Sequence, residues 1–335
     1  MSISTDLPTL SQYSSHLVDG YQNFPYGKYV TLLIIRKTES ETIFRTEGSG
    51  EGLSKEIVMA GITHRTPMRR VMMSKRKQTA VERRTGRELL RELNLLPMIE
   101  VKKEVRPCSL NTNAPCGKCV DCMLYGYAVG GGGAQKSRVM TDDAYSLAPV
   151  AQITGHRTFN ATFDNGTMRN PFDPKKASTS INEDEYVLPE THFLDMETLK
   201  DVTLGELQYV IGNILRSSRY GAISSRLGRM HNELNAIIFS DTELFSNLEL
   251  TQAVYDRLLG DEQELPFPLD DEKVGRAVEE ATNELINRVV GRAPVVVRGE
   301  TLKGILDETI AFYREPDRVK QMLAELTQTY PSAQQ

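Results

Sequence analysis

The segment RPCSLNTNAPCGKCVDCMLYGYAVGGGGAQKSR, residues 106–138, contains every cysteine of the chain within fifteen residues and then continues into four glycines. The cysteine spacing is C-x7-C-x2-C-x2-C, in which each C-x2-C step turns the backbone tightly enough to bring two sulfurs to one ion. Four thiolates in a tetrahedron suit Zn²⁺ and leave no coordination position open. We therefore predict a structural zinc site in an insertion spanning 97–135, with the ligands Cys108, Cys116, Cys119 and Cys122.

Two other interpretations of the cysteines stay open. The C-x2-C-x2-C pattern also occurs in ferredoxin-type ligation of iron–sulfur clusters, and the thiols can be free or disulfide-bonded. No segment has the composition of a secretion signal or a membrane span, so we expect a cytoplasmic protein with no membrane partner. A reducing cytoplasm favours metal thiolates over structural disulfides.

The glycine tract resembles a phosphate-binding loop, but that pattern requires glycine directly before the lysine and here Gln135 precedes Lys136. Gly130 to Gly133 therefore either let the backbone approach a ligand closely or form a flexible joint behind the cysteine segment.

The charge is distributed unevenly along the chain. The net charge is −5, but residues 1–170 carry 23 basic and 16 acidic residues, while 171–335 carry 17 and 29. Between 65 and 91, ten basic side chains stand against Glu82 and Glu88. Such an excess indicates a polyanionic partner, and phosphate-backbone binding is the function we predict from it. The alternative is that this basic face docks on the acidic half of a neighbouring copy, since 241–272 holds ten acids and Arg257 alone among bases.

The hydrophobic pattern indicates alternating strands and helices. Residues 26–40 and 41–48 have strand composition, 79–96 and 204–218 have helical spacing, and a strand is expected within 232–244. The segment 155–193 looks like an exposed excursion with an Asn165-Gly166 hairpin turn. From 270 onward the pattern is amphipathic helix. We predict an α+β core with insertions; the alternative is two domains divided near residue 150.

Three segments carry a resemblance to a known family: SRVMTDDAYSL (137–147), the excursion from HRTFNATFDNG to VLPETHF (156–193), and RYGAISSRLGRM (219–230). Together they resemble the RRM-like backbone subunits of CRISPR effector complexes, in the RAMP superfamily. The cysteine insertion is most similar to the type I-D branch. The resemblance implies one ferredoxin-like/RRM-like domain over 1–335, with a zinc knuckle at 97–135, a β-hairpin thumb at 155–193 and a mainly helical part at 240–335.

The resemblance also implies a non-catalytic subunit of a Cascade-like antiviral complex. Several copies would stack in a filament along guide RNA (crRNA), present it to a target nucleic acid strand, and contact other subunits of the type I-D complex. The residues expected at the RNA, from the basic segment and the resemblance together, are Arg65, Arg69, Arg70, Lys75, Arg76, Lys77, Arg83, Arg84, Lys136, Ser137, Arg138, His156, Arg157, Arg169, Arg226 and Arg229.

Two other functions stay open at this point. One is a metal-dependent nuclease that uses acidic and histidine side chains, and the other is a zinc-stabilised scaffold that binds an acidic protein. In type III backbone subunits an aspartate in an early loop cuts target RNA, but residues 63–76 contain no acid here, so we do not expect ribonuclease activity. The nuclease candidates are Asp142, Asp143, His156 and Asp164.

Overall fold

The computed structural model describes residues 7–45, 52–101, 103–112, 114–129, 133–179, 181–221 and 225–331. The strands are β1 Tyr29–Thr38, β2 Lys55–Met59, β3 Pro67–Met73, β4 Met98–Val101, β5 Glu104–Pro107, β6 Tyr127–Val129, β7 Gly133–Gln135, β8 Val139–Thr141, β9 Ala144–Ser146, β10 Thr154–Asn160, β11 Arg169–Asn170, β12 Asp173–Ala177, β13 Ile181–Val187, β14 His192–Lys200, β15 Met230–Ser240 and β16 Val295–Val297. The helices are α1 Pro8–Ser11, α2 Lys75–Glu92, α3 Val120–Tyr125, α4 Val150–Ile153, α5 Leu204–Arg216, α6 Asn247–Leu259, α7 Asp271–Ile286, α8 Gly299–Tyr313 and α9 Pro316–Thr329; a 3₁₀ turn covers Ser14–His16.

An antiparallel sheet organises the molecule, with strand order β16-β15-β1-β14-β9-β3-β2 and β8 beside β14. Strand β1 lies in its interior, between β15 and β14, and is buried along nearly all its length; residues 30–35 are apolar except for Thr31. The central strands come from both ends of the chain, so a division near residue 150 would cut through the sheet. The mixed α+β class predicted from the alternating pattern is confirmed. Within 41–45, the described part of the predicted partner strand 41–48, no strand forms and Thr42 makes an isolated bridge to Val187. Residues 46–48 lie outside the described residues.

Helices cover both faces of this sheet. On one face the apolar sides of α2, α5, α8 and α9 join Leu32 and Ile34 of β1 in one core. On the other, α6 and α7 pack on Leu33 and Ile35, whose side chains point the opposite way because strand residues alternate. The helices begin where the sequence supplies caps: Thr203 and Glu206 form a reciprocal capping box at α5.

A buried ionic cluster joins α2 to the sheet. The Arg36 guanidinium lies 2.7–3.0 Å from carboxylate oxygens of Glu82, Asp195 and Glu197, and all four side chains are fully buried. Burial and the neighbouring Glu82 raise the pKa of Glu197 well above its usual range. One cation among three carboxyls is consistent with at least one of them being protonated. The cluster fixes α2 over the strands, and α2 carries much of the basic segment.

Residues 154–187 leave the main sheet as a long hairpin. Its stalk is the antiparallel pair β10–β13, and β11–β12 form a second short pair beyond it. The hairpin is mostly exposed, including Phe172, whose exposed fraction is 96%. No helix within the described ranges has the length and apolar character needed to cross a bilayer.

Candidate metal centre and nucleic-acid interface

The four cysteines converge, as their spacing predicts. Their Sγ atoms all lie within 4.8 Å of one another, and all four side chains are buried. The Sγ atom of Cys122 is 3.7 Å from that of Cys108 and 3.8 Å from that of Cys116. A tetrahedral zinc with Zn–S bonds of about 2.3 Å places its sulfurs about 3.8 Å apart, so these distances fit one ion at the centre.

The backbone around the cluster is folded so that its amides point at the sulfurs. Cys116 N donates to Cys108 Sγ and Cys119 N donates to Cys116 Sγ, both at 3.3 Å. Cys119 also caps helix α3, accepting a bond from Cys122 N at 3.5 Å. Donors directed at sulfur stabilise the thiolate form, which is the form that binds metal. The site is therefore preorganised for a thiolate-bound cation.

An ionic bridge fastens this segment to α2. Asp121, fully buried, accepts bonds from Arg83 Nε and Nη2 at 3.0 and 2.8 Å and from Arg87 Nη1 at 2.7 Å. Arg87 also donates to the carbonyl of Cys108. Burial lowers the pKa of Arg87, but Asp121 and Cys108 together outweigh it, and the net shift is upward. Two members of the basic segment thus hold the cysteine segment in place.

The cysteine segment packs into the main hydrophobic core. The four cysteines, Val120 and Leu124 belong to the same buried cluster as Leu90 of α2 and Leu326 of α9. Helix α3 is short and almost wholly apolar, so it can be buried on every side only by packing into the main core. A metal bound by these cysteines would therefore be coupled to the packing of the helices on this face.

The predicted RNA-binding residues divide by exposure. Strand β3 alternates, so Arg69 is exposed while Arg70 is fully buried. Arg70 donates to the carbonyls of Ser146 and Ala60, and burial lowers its pKa to about 10. The side chains that reach solvent are Arg65, Arg69, Lys75, Arg76, Arg84, Lys136, His156, Arg157, Arg169, Arg226 and Arg229, with Lys77 and Ser137 half-buried.

Arg70 and Arg138 have structural roles that the sequence interpretation did not foresee. Arg138 is largely buried, bonded through Nη1 to Glu206 Oε2 at 2.9 Å and to the carbonyl of Asp201 at 3.0 Å. Arg83 is similarly committed to Asp121. A guanidinium that is already paired inside the protein gains little by meeting a phosphate, so we exclude these three from the candidate interface.

A cavity of about 620 Å³ opens where α2 begins. Three cations line it, Lys75 and Arg76 from the first turn of α2 and Arg45 from the segment after β1. Sequence reasoning missed Arg45, because it is isolated from the basic segment by 19 residues and only the fold brings it there. Asp143 is also in the cavity wall, accepting from Lys75 N at 2.7 Å.

The remaining predicted residues lie on other surfaces. Arg157 on the hairpin stalk pairs with Glu41, and Arg229 pairs with Glu39 at 2.8 Å. Gly130–Gly132 lie outside the described residues. Of the nuclease candidates, Asp143 accepts a hydrogen bond from Lys75 N at the start of α2, and the backbone carbonyl of Asp142 accepts one from the Asn247 side chain. Within the described part of the chain, the four cysteines are the group of His, Cys, Asp or Glu side chains whose ligand atoms lie close enough together to hold one metal ion.

Taken together, the molecule is an α+β protein with a four-cysteine centre, an exposed hairpin and a basic surface. The family model described as "Csc2 Crispr" matches residues 16–323. The chain therefore belongs to the Csc2 CRISPR family.

One solved structure is similar to this chain in fold. The crystal structure of Thermofilum pendens Csc2 is similar over 94% of both chains, with a TM-score of 0.61 and 16% sequence identity. A chain of a CRISPR RNA-guided surveillance complex aligns with 84% of this chain and 99% of its own length, at a TM-score of 0.49 and 10% identity. Comparison with curated protein sequences gives no match.

Proposed function

We propose that this protein is a non-catalytic backbone subunit of a type I-D CRISPR effector complex, that it binds guide RNA, and that copies of it stack along the RNA. The observation that carries the proposal is the family match over 16–323. The guide RNA, the target strand and the other subunits of such a complex are its proposed partners, and the cytoplasm its proposed location.

A ferredoxin-like, RRM-like core is the fold we propose beneath the insertions. Strands β15, β1, β14 and β9 are adjacent in that order, and α2 and α5 cover one face of them. In a β-α-β-β-α-β unit, the four strands numbered along the chain lie side by side in the order 4-1-3-2. Strands β15, β1, β14 and β9 are the fourth, first, third and second of this unit. The helices of the C-terminal part would then be additions to that core, and the hairpin 154–187 would be the thumb.

The proposed RNA-binding surface consists of the exposed cations of β3 and the start of α2, the cavity with Arg45, and the residues Lys136, Ser137, Arg226 and Arg229. Cations at these places neutralise phosphates without reading bases, which is what a subunit that accepts any guide sequence requires. The thumb, with His156, Arg157 and Arg169, is proposed to lie over the RNA. Zinc is proposed at the cysteine centre, where the sulfur spacing and the complete set of four ligands favour it.

Purification without nuclease treatment tests this function. We expect RNA to copurify, giving high absorbance at 260 nm, and sequencing of that RNA should give repeat-derived guides. Protein free of nucleic acid that also fails to bind added guide RNA would contradict the proposal. Captured acidic protein in place of RNA would favour a scaffold.

A further inference from the structure

The β2–β3 hairpin presents two exposed arginines at the proposed RNA surface, Arg65 in its turn and Arg69 on β3. The turn is closed by two backbone bonds, Ala60 N to Thr66 O and Gly61 N to His64 O, both 2.9 Å. Two bonds fix the shape of the turn but not its position relative to the rest of the protein. That position is set by contacts from elsewhere.

Asp256, in helix α6 almost 200 residues further along the chain, supplies the main contact. Its Oδ2 accepts from Thr63 N at 2.7 Å, its Oδ1 accepts from His64 N at 3.2 Å, and His64 Nδ1 lies 2.9 Å from Oδ1. Burial acts to raise the pKa of Asp256, but the bonds from Thr63 and His64 outweigh it and the net shift is downward. The group is thus an ionised carboxylate with its oxygens committed to the turn.

The Asp256 carboxylate occupies the space that a side chain at residue 61 would fill. A Cβ atom added at residue 61 would lie 1.8 Å from Asp256 Oδ1 and 2.5 Å from its Cγ, far inside contact distance. Any side chain at 61 therefore has to displace Asp256 from the turn. This gives a second way to break the contact without changing a charge.

The base of the hairpin is anchored separately. Gln252, one helical turn before Asp256, donates from Nε2 to Met59 O at 2.9 Å, and buried Arg70 donates to Ala60 O at 2.7 Å. Loss of the Asp256 contact should therefore release the tip of the hairpin while leaving strands β2 and β3 paired.

We infer that Asp256 is a positioning residue for RNA binding: it clamps the 60–66 turn so that Arg65 is held ready for a phosphate. The inference rests on the proposed function. Removing Asp256 should therefore weaken RNA binding, although removing an acid from a protein should by charge alone strengthen its binding to a polyanion. A released turn has to be ordered on binding, and ordering a mobile side chain costs about 0.5–1.5 kcal/mol.

The experiment measures binding of the full chain to single-stranded polyuridine at fixed salt, for Asp256→Asn, Gly61→Ala and Arg65→Ala. We expect Asp256→Asn and Gly61→Ala each to weaken binding about twofold to twelvefold, which is the ordering cost converted to a change in affinity. Asp261→Asn is the matched control, since Asp261 is an exposed acid just beyond α6. The control should bind as tightly as the wild type or slightly more tightly.

A double-mutant cycle separates positioning from general destabilisation. If Asp256 acts through Arg65, adding Asp256→Asn to Arg65→Ala should cost little further affinity, while the melting temperature should fall by the same amount in both backgrounds. Wild-type affinity in both Asp256→Asn and Gly61→Ala, or full additivity with Arg65→Ala, would overturn the inference alone. A wild type that does not bind RNA would remove the proposed function and the inference with it.

Discussion

Replacing Cys119 by serine is expected to abolish metal binding and to lower the melting temperature of the whole chain, not only of its cysteine segment. Cys119 is fully buried, caps α3 and belongs to the main core. A serine hydroxyl stays protonated at neutral pH and does not replace a thiolate ligand. Structural zinc contributes about 10–16 kcal/mol in small peptides, which is as large as the whole stability of a typical domain, about 5–15 kcal/mol.

Circular dichroism with temperature, together with metal analysis, checks this expectation. The wild type should contain one zinc per chain, and Met123→Leu, a volume-conserving change at a buried neighbour that offers no ligand in this site, should keep both metal and melting temperature nearly unchanged. Iron with visible absorbance would mean an iron–sulfur centre. An unchanged melting temperature in Cys119→Ser would refute the structural role of the site.

Replacing Arg65, Arg69, Lys75 and Arg76 together by alanine should weaken RNA binding strongly and equally for all sequences. All four are exposed, and the last two line the cavity at the start of α2. Each phosphate contact on a single strand contributes about 0.7 to the slope of log affinity against log salt, so the slope should fall by about 2.8. Between 50 and 200 mM salt, the wild type should therefore lose roughly 50-fold more affinity than the variant.

The matched control removes four exposed cations from the C-terminal helices, Lys273, Arg276, Lys303 and Lys320. It changes the net charge equally, so a specific surface is indicated only if the control keeps most of the salt slope. Equal losses in the two variants would show that binding follows net charge alone. A changed base preference with an unchanged slope would mean that the four residues read bases.

The sequence predicted that the four cysteines converge, because the pattern is local: four thiols within fifteen residues leave few ways to fold. It predicted the basic segment poorly, because it treated 65–91 as one surface. Arg69 and Arg70 are adjacent in a strand and so point to opposite faces. Arg83 and Arg87 are four apart in a helix and so share the face that binds Asp121, while Arg84 between them is exposed.

Long-range contacts account for the other features that could not be predicted from the sequence. Nothing near Arg36 in the sequence indicates that it meets Glu82, Asp195 and Glu197 in the core, since Glu82 comes from α2 and the other two acids from β14, both far from Arg36 along the chain. Asp256 likewise stands in a helix whose sequence gives no sign of the turn it holds. Isolated charges of this kind are usually solvent-exposed, so sequence patterns cannot distinguish them from surface residues.

Stacking of copies of this protein along RNA can be tested by the mass of the complex on RNAs of increasing length. We expect a mass that rises in steps of one 37.6 kDa chain for each fixed number of added nucleotides. Deleting 161–179, which removes the far part of the hairpin and leaves most of the stalk, should abolish the cooperativity of the steps. One bound copy on every RNA length, unaffected by that deletion, would show that the protein does not stack along RNA.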